Sequence, residues 1–267
     1  MLKNYNFQHI PMILKLMFMN GNISERIDTE RYARNLMLED FDASSQLRLQ
    51  ESTVGIVGAG ALGSVVAMYL AGAGVGHLKI ADYDTVSISN LQRQVFFRER
   101  EIGEPKCDML SESVRRLNSN CAVECFHEAV TADNIEDFVA GCNVLAVCTD
   151  TYASKVMVVD EVRRLRNQLP IDNRCLLSVV VGGVREYEGQ VTVFTDESSF
   201  GYEDLFTDPM NHAEAMAPPG VFSPVPGIVG SIQACEILKL ITGIGAPLVN
   251  ALLHFDVRDM NIKILRF

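Results

Sequence analysis

The chain has 267 residues, of which 48% are hydrophobic and 21% charged, a balance typical of a folded protein with a sizeable core. Its formal net charge of −11 argues against a broad surface for nucleic acid or an anionic membrane, but it is compatible with a local cationic pocket. Seven cysteines without a C-x-x-C pair favour a reducing cytoplasmic location over a disulfide framework.

The N-terminal stretch contains an apolar run that resembles a signal-peptide core. Residues 10–19 read "IPMILKLMFM", but Lys15 interrupts the run and no small-residue cleavage site follows, so we reject secretion. The run is also too short to span a membrane. Residues 1–25 are predicted to be a poorly ordered extension, with Met19 as a candidate natural start.

The central part of the chain alternates strand-like and helix-like patterns. Helical pieces are expected over 29–50, with Asp28 or Thr29 as a cap. The expected strands are 53–58, 77–84, 122–130, 143–150 and 176–183, and the expected helices are 61–74, 104–118 and 151–166. This alternation predicts a Rossmann-like, doubly wound and mostly parallel sheet of the α/β class.

The pattern changes after Gly183. Residues 185–196 alternate as an antiparallel strand does, 197–222 read as a polar loop, and 224–243 read as a buried helix that ends at Gly243. Two short strands, about 249–256 and 260–266, complete a C-terminal antiparallel extension. We expect one domain over 26–267, with a nucleotide-binding half at about 50–150 and a partner-binding and dimer half at about 151–267.

A glycine loop follows the first predicted strand. Gly58, Gly60 and Gly63 fit G-x-G-x-x-G, which lets backbone N–H groups approach phosphate at a helix N-terminus. Asp82 ends the second strand, where a carboxylate can accept hydrogen bonds from ribose hydroxyls. Asp84 belongs to the same predicted nucleotide site. The loop could also be merely a tight turn, but its position between strand and helix favours a nucleotide.

Near the same predicted sheet edge lie more polar side chains than the binding of a nicotinamide adenine dinucleotide requires. Asn90, Arg93 and Gln94 follow the second strand, Lys106 begins a predicted helix, and Asp150 ends the fourth strand. Cations with one carboxylate around a nucleotide favour a triphosphate, with Asp150 holding Mg²⁺. Taken singly, Arg93 and Lys106 could be ordinary surface charges.

Seven motifs together resemble the ThiF/MoeB/HesA family, relatives of ubiquitin-activating enzymes. The resemblance covers about residue 26 to the C-terminus, and N-L-Q-R-Q is its most specific part. The motifs are "RYARN", "GAGALGS", "DYDTVSISNLQRQ", "GEPK", "CTDT", "EGQVTVF" and "GVFSPVPGIVGSIQACEILK". The resemblance implies that ATP adenylates the C-terminal glycine of a ubiquitin-like sulfur-carrier protein with a Gly-Gly terminus, releasing pyrophosphate.

The same resemblance implies residue roles. Asp82 would bind ribose, Arg93 and Lys106 would bind the phosphates, and Asn90 would help to order the triphosphate. It further implies that Asp150 binds Mg²⁺ and that Arg34 reaches ATP from the other subunit of a homodimer. A ThiS-like carrier of thiamine biosynthesis is favoured, with a MoaD-like carrier of molybdopterin biosynthesis second.

The sequence departs from the family at its metal and cysteine motifs. Many members carry two C-x-x-C pairs for a structural zinc, and none is present here, so we predict no zinc. Met216 stands where members that form a covalent intermediate place a cysteine, which favours an adenylate-only reaction. Cys175 is a weak alternative nucleophile, whereas Cys121 and Cys125 are expected to pack. His212 and Met210 in the polar loop carry no firm assignment.

Two other functions stay open at this point. A nicotinamide-dependent oxidoreductase would use the glycine loop, but it would leave Arg93 and Lys106 without a role. A non-catalytic scaffold that binds nucleotide or a partner is also conceivable, although it would have no need for the predicted phosphate-binding residues.

Overall fold

An eight-stranded mixed sheet organises the chain in a computed structural model that describes residues 26–168, 177–205 and 220–267. The strand order is β3-β2-β1-β4-β5-β6-β7-β8, with β1 to β5 parallel and β6, β7 and β8 antiparallel additions. The bounds are β1 Thr53–Val57, β2 His77–Ala81, β3 Ala122–Phe126, β4 Val144–Val147, β5 Ser178–Arg185, β6 Glu188–Phe194, β7 Ala251–Asp256 and β8 Asn261–Arg266. The predicted α/β class, with its C-terminal antiparallel extension, is confirmed.

Helices cover both faces of this sheet. The α-helices of the described ranges are α1 Ala33–Leu36, α2 Ala43–Gln50, α3 Gly63–Ala73, α4 Lys106–Leu117, α5 Ile135–Val139, α6 Tyr152–Gln168 and α7 Val225–Thr242. Short 3-10 turns occur at Ile88–Asn90, Glu99–Glu101 and Glu203–Leu205. Because β1, β2 and β4 are parallel, the loops after them meet at one edge of the sheet, here called the carboxyl edge.

Two hydrophobic cores lie on opposite faces of the sheet. On one face α3, α4 and α7 bury residues such as Leu70, Leu110 and Ile237 against strand residues that include Ile56 and Ile80. On the other face α5 and α6 cover the alternate strand positions. Strand side chains alternate between faces, so β1 and β4 supply both cores and are nearly fully buried.

Helix α7 is long and apolar enough to span a membrane by length and composition, yet 56% of it is buried inside the fold. Gly230 explains how closely it packs, because a Cβ there would lie 2.8 Å from Val65 Cβ and 2.9 Å from the Leu62 carbonyl oxygen. The helix ends at Gly243, whose φ of 72° is the left-handed conformation expected at that position. It is therefore the core helix that the sequence predicts.

The departures from the predicted elements are local. Helix α5 was not predicted, since five residues are too few for a periodic pattern to show. The first helix begins at Ala33 rather than directly after Asp28, which instead accepts a hydrogen bond from the Arg31 backbone N–H at 3.0 Å. The strand expected over 77–84 ends at Ala81. The predictions for residues 1–25 lie outside the described residues.

Candidate functional site

The glycine loop joins β1 to α3 at the carboxyl edge. Gly58 has a φ of +96°, which L side chains rarely adopt. Gly63 lies so close to the loop that a Cβ there would stand 1.8 Å from the Gly58 carbonyl oxygen. At Gly60 a Cβ would first meet the Gln94 side chain, 3.4 Å away, rather than backbone. Two of the three glycines are therefore required by the loop itself.

Asp82 is tied to this loop by its carboxylate. One oxygen accepts the Ala59 N–H at 2.7 Å and the other accepts the Asp84 N–H at 2.8 Å. An ionised carboxylate has about four acceptor positions, so two backbone donors leave capacity for ribose hydroxyls. The arrangement fits the role predicted for Asp82 from the sequence.

A buried lysine forms an ion pair beside Asp82. The Lys106 ammonium lies 2.7 Å from an Asp84 carboxylate oxygen, and the Lys106 backbone N–H donates to the Asp84 carbonyl at 3.0 Å. The lysine side chain is 6% exposed, whereas that of Asp84 is 51% exposed. An ammonium has three donors, so this pair leaves donors for a phosphate. The residues were predicted separately, and their pairing is a result of the tertiary structure.

The 3-10 turn at Ile88–Asn90 shapes the loop that carries Arg93. The Asn90 side-chain oxygen accepts the Ser87 N–H at 3.1 Å, and the Asn90 carbonyl accepts the N–H groups of Arg93 and Gln94 at 3.0 and 2.9 Å. Arg93 Nη1 donates to the Ser89 carbonyl at 3.0 Å. Asn90 therefore orders this loop, a contribution that the sequence did not indicate.

Two buried polar atoms near the glycine loop have no hydrogen-bond partner within the described part of the chain. They are Gln94 Oε1 and Ser64 Oγ. Gln94 is only 5% exposed and its amide adjoins Gly60. Buried polar atoms almost always find a partner, so such a pair beside a Gly-rich turn fits a polar ligand. A bound nucleotide could supply hydrogen-bond partners for both atoms, so these residues fit the predicted ligand.

Asp150 lies at the same edge, three residues after the end of β4, and is exposed. Its loop is held by the Ser154 hydroxyl, which donates to Thr149 Oγ1 at 2.7 Å. Mg²⁺ at phosphate sites commonly takes one or two carboxylates, with substrate oxygens and water completing the shell, so a single exposed aspartate is a suitable donor. No group of three metal-ligating side chains occurs in the described ranges.

Lys155, at the end of the first turn of α6, is a feature that sequence reasoning missed. It is only 7% exposed, and burial lowers its pKa to about 8, although the neighbouring Cys148 and Asp150 raise it in part. A sequence signal existed, since Lys155 stands among apolar residues of an amphipathic helix. Its charge adds to the cationic character of this edge.

Arg34 does not join the other site residues within one chain. Helix α1 is fixed at the far end of α4, where Arg31 Nη1 donates to the Leu117 carbonyl at 3.0 Å and Asn118 Nδ2 donates to the Tyr32 hydroxyl at 3.0 Å. Because α4 begins at Lys106 and its 12 residues rise about 18 Å, Arg34 lies near the opposite edge of the sheet. A role at the nucleotide therefore requires a second subunit.

Aromatic packing holds the segment in which the family's first C-x-x-C motif would fall. Phe200 lies 5.0 Å from Phe267 and 5.7 Å from Phe194 between ring centroids. The Ser199 N–H donates to Asn250 Oδ1 at 3.2 Å, and Asn250 Nδ2 donates to the Glu197 carbonyl at 3.3 Å. These contacts provide a zinc-independent anchor, and the absence of zinc stays a prediction.

The cysteines of the described ranges are mostly buried. Burial raises the pKa of Cys121 and of Cys148 to about 12, and that of Cys142 to about 11, which suppresses thiolate chemistry. Cys125 differs, because a hydrogen bond from the buried Cys107 thiol lowers its pKa to about 7. Cys175, Met210, His212 and Met216 lie outside the described residues.

Comparisons with known proteins identify the family of this chain. A family model described as "ThiF family" matches residues 32–267. The chain belongs to the ThiF family. The resemblance inferred from the motifs is thereby confirmed.

Similar curated proteins are named for two activities. "Adenylyltransferase and sulfurtransferase MOCS3-1" of Zea mays is 34% identical over 238 residues, covering 88% of this chain and 49% of that protein. The Mus musculus MOCS3 protein of the same description is 36% identical over 233 residues, covering 85% and 47%. This ThiF-family chain thus spans about half the length of the curated relatives it matches.

Solved structures of the same fold include PaaA and Escherichia coli MccB. PaaA superposes with a TM-score of 0.74 at 22% identity, covering 93% of this chain and 84% of that one. MccB with ATP gives 0.75 at 19% identity, covering 96% and 76%. At these identities the likeness establishes the ThiF-like fold alone.

Proposed function

We propose that this ThiF-family chain uses ATP to adenylate the C-terminal glycine of a ubiquitin-like sulfur-carrier protein, releasing pyrophosphate. The observation that carries the proposal is the buried Lys106 ammonium, fixed by Asp84 beside the ribose-binding candidate Asp82. Hydride transfer does not require a buried cation beside Asp82, whereas adenylyl transfer from ATP does, because negative charge develops on the phosphate oxygens. The adenylyltransferase names of the relatives support the same conclusion.

Each site residue has a distinct role in binding ATP. Asp82 accepts from the ribose hydroxyls, the glycine loop directs N–H groups at the phosphates, and Lys106 and Arg93 neutralise phosphate charge. Mg²⁺, when bound by Asp150, supplies further charge neutralisation at the phosphates. Gln94 offers a polar contact beside Gly60. No side-chain nucleophile is needed, because the carrier supplies the attacking carboxylate.

The bond changes balance without a proton transfer. A carrier carboxylate oxygen attacks the α-phosphorus, the bond from that phosphorus to its bridging oxygen breaks, and the electron pair leaves with pyrophosphate. An anion attacks an anion, so the barrier is largely electrostatic. Fixed cations at Lys106 and Arg93 lower it, and loss of one such group typically costs about 10²–10³ in rate.

We further propose a homodimer in which the partner's Arg34 completes each site. Within one chain Arg34 and Lys106 lie at opposite ends of α4, as the bonds of Arg31 show. Mixing inactive Arg34→Ala with inactive Asp150→Ala should therefore restore activity, to about a quarter of wild type after random subunit exchange. Mixtures that stay inactive although the subunits exchange would contradict a shared site.

The carrier class is tested by ATP–pyrophosphate exchange with a ThiS-like and a MoaD-like protein that each end in Gly-Gly. We place the ThiS-like carrier of thiamine biosynthesis first, on family analogy, although the curated relatives are MOCS3 proteins, which do not point specifically to that carrier. Asp150→Ala is the control, because exchange that survives it removes the proposed metal role. No exchange with either carrier favours the scaffold function.

The oxidoreductase alternative is separated by ligand-induced stabilisation. ATP with Mg²⁺ should raise the unfolding temperature, since a ligand that binds only the folded state stabilises it. NADH should leave that temperature unchanged. The reverse result would make the chain a nicotinamide-dependent enzyme and would leave Lys106 unexplained.

A further inference from the structure

Two cysteine side chains meet where the start of α4 packs against β3. Cys107 is the second residue of α4 and is fully buried, whereas Cys125 is the last but one residue of β3 and is half-buried. The Cys125 sulfur lies 3.4 Å from the Cys107 carbonyl oxygen, and the Cys107 thiol donates a hydrogen bond to Cys125. Neither forms a disulfide in this structure, and the proposed adenylation uses neither thiol.

The other buried cysteines of the described ranges are not arranged in this way. Their hydrogen-bond partners are oxygen atoms, a backbone carbonyl for Cys121 and Cys142 and a side-chain amide for Cys148. Burial raises the pKa of all three. Cys107 and Cys125 are therefore the thiols that the described part of the chain brings together.

The surroundings of Cys125 favour its thiolate. The hydrogen bond from Cys107 lowers the pKa of Cys125 and outweighs the opposing effect of burial. The Ser111 hydroxyl, one turn along α4, is buried without a nitrogen or oxygen partner in the described ranges, and it lowers this pKa further. Asp108 and His127, 3.3 Å apart, act on it in opposite directions. A partly exposed thiol with a lowered pKa is reactive, because the thiolate is the nucleophile.

Cys107 has the opposite character. Its hydrogen bond to Cys125 raises its pKa, and burial raises it further, so this thiol stays protonated. A protonated thiol in contact with an oxidised sulfur can attack that sulfur and also supply the proton that the departing hydroxyl needs. The pair thus consists of a nucleophile that solvent can reach and a buried thiol held against it.

We propose that Cys125 and Cys107 form a site of reversible oxidation, at which a hydroperoxide converts the two thiols into a disulfide and thereby weakens ATP binding. Formation of the disulfide does not depend on the proposed function. Its effect on ATP does rest on that function, because it acts through Lys106.

The bond changes balance in two steps. The Cys125 thiolate attacks one oxygen of hydrogen peroxide, the O–O bond breaks, and the other oxygen leaves as hydroxide, which the solvent protonates. The sulfur loses two electrons and becomes a sulfenic acid, and the peroxide is reduced. The Cys107 sulfur then attacks the Cys125 sulfur, the S–O bond breaks, and the thiol proton leaves with the hydroxyl as water. One peroxide and two thiols give one disulfide and two waters.

Cys107 is joined directly to the nucleotide site. Its sulfur lies 3.4 Å from the Ile80 carbonyl oxygen and 3.6 Å from the Asp82 carbonyl oxygen. The residue before it is Lys106, whose backbone N–H and ammonium both bind Asp84. Sulfur atoms in a disulfide are about 2.05 Å apart. Cys107 must therefore turn from these carbonyls toward β3, and it draws the start of α4 with it.

Displacement of Lys106 is the expected cause of weaker ATP binding. Lys106 and Cys107 are consecutive residues in the first turn of α4, so the lysine cannot keep its place when the cysteine moves. A shift of about 1 Å in a positioned group can cost about 10²-fold in activity. We expect the disulfide to raise the Kd for ATP at least about tenfold, and a dithiol reductant to restore it.

The test treats the full 267-residue chain with hydrogen peroxide and then with dithiothreitol. Cys125→Ser and Cys107→Ser each keep a hydroxyl in place of the thiol. Cys121→Ala is the matched control, because it removes a buried cysteine from the same segment of the chain. Peptide mass spectrometry identifies the residues that are joined, and the thermal shift with ATP and Mg²⁺ reports nucleotide binding. Circular dichroism and urea denaturation of the reduced proteins check the fold.

We expect wild type and Cys121→Ala to form the disulfide between residues 107 and 125, to lose the thermal response to ATP, and to regain it with dithiothreitol. Cys125→Ser should form no such bond and keep its response to ATP. Cys107→Ser should stop at the sulfenic acid of Cys125, which dimedone captures.

The contrary results are distinct. A peroxide-treated wild type that stays reduced, or that joins other cysteines, overturns the site. A sulfenic acid that persists in wild type overturns the role of Cys107, and a 107–125 disulfide that leaves the Kd for ATP unchanged overturns the link to Lys106. A reduced chain that does not respond to ATP overturns the proposed function instead, and mass spectrometry then decides the thiol pair separately.

Discussion

Gly63→Ala is the substitution that most directly tests the geometry of the glycine loop. The added Cβ would stand 1.8 Å from the Gly58 carbonyl oxygen and 2.9 Å from its carbonyl carbon, far inside van der Waals contact. The obstacle is backbone, so no side-chain rotation relieves it. Either Gly58 or the start of α3 must move, and both form the predicted phosphate cradle.

The expected cost is at the upper end of overpacking, about 3 kcal/mol of unfolding free energy. With a urea dependence near 3 kcal/mol per molar, this shifts the unfolding midpoint downward by about 1 M. ATP with Mg²⁺ should no longer raise the unfolding temperature, because the displaced loop cannot direct its N–H groups at phosphate. Urea denaturation and the thermal shift measure the two effects.

Gly72→Ala, in the same helix, is the matched control. A Cβ there meets only Leu117 Cδ2 at 3.7 Å, an ordinary contact, and the position is exposed. Alanine should therefore stabilise the helix, by about 0.5–1 kcal/mol. If Gly63→Ala matched Gly72→Ala in urea midpoint and retained the ATP response, the close approach of α3 to the loop would be refuted.

Three further outcomes are expected. Lys106→Met should lower pyrophosphate exchange about 10²–10³-fold but change the unfolding free energy by less than about 1 kcal/mol, because Asp84 is left half exposed; a large urea shift would give the pair a structural role. Burial lowers the pKa of Lys155 to about 8 from 10.5, so the unfolded chain binds more protons between these values and wild-type stability should rise with pH across that window. Lys155→Met should remove this pH dependence and raise the free energy of unfolding at pH 7 by up to roughly 3 kcal/mol. If urea denaturation at pH 7 finds the variant no more stable than wild type, burial of the Lys155 charge does not cost stability. Elemental analysis should find no stoichiometric zinc, while Phe267→Ala should cost about 1 kcal/mol by loss of the contact with Phe200; a zinc content near one per chain would contradict this.

The sequence predicted the main elements well because their signals are local. The glycine loop between a strand and a helix, the alternation of elements and the C-terminal Gly243 each depend on neighbouring residues only. The site residues Asp82, Lys106 and Asp150 were predicted as well, since parallel strands bring the residues at their carboxyl ends to one edge. Helix α5 was missed because its five residues are too short for a periodic pattern.

Other features depend on contacts between residues far apart in the chain. Residues 84 and 106 form one ion pair, and residues 60 and 94 meet beside the glycine loop. The segment near Phe200 is anchored by Phe267 rather than by a metal. No local pattern reports such pairings, because burial and distance are set by the packing of the whole sheet.

By itself the sequence determined a Rossmann-like fold with the predicted phosphate-binding residues at its carboxyl edge, because backbone conformation and strand polarity are encoded locally. Only the tertiary structure decided that Lys106 is buried against Asp84, that Arg34 lies at the opposite edge, and that β8 is an open apolar strand. Each of these depends on which surfaces the packed sheet and helices cover, and that is a property of the assembled chain rather than of any segment in it.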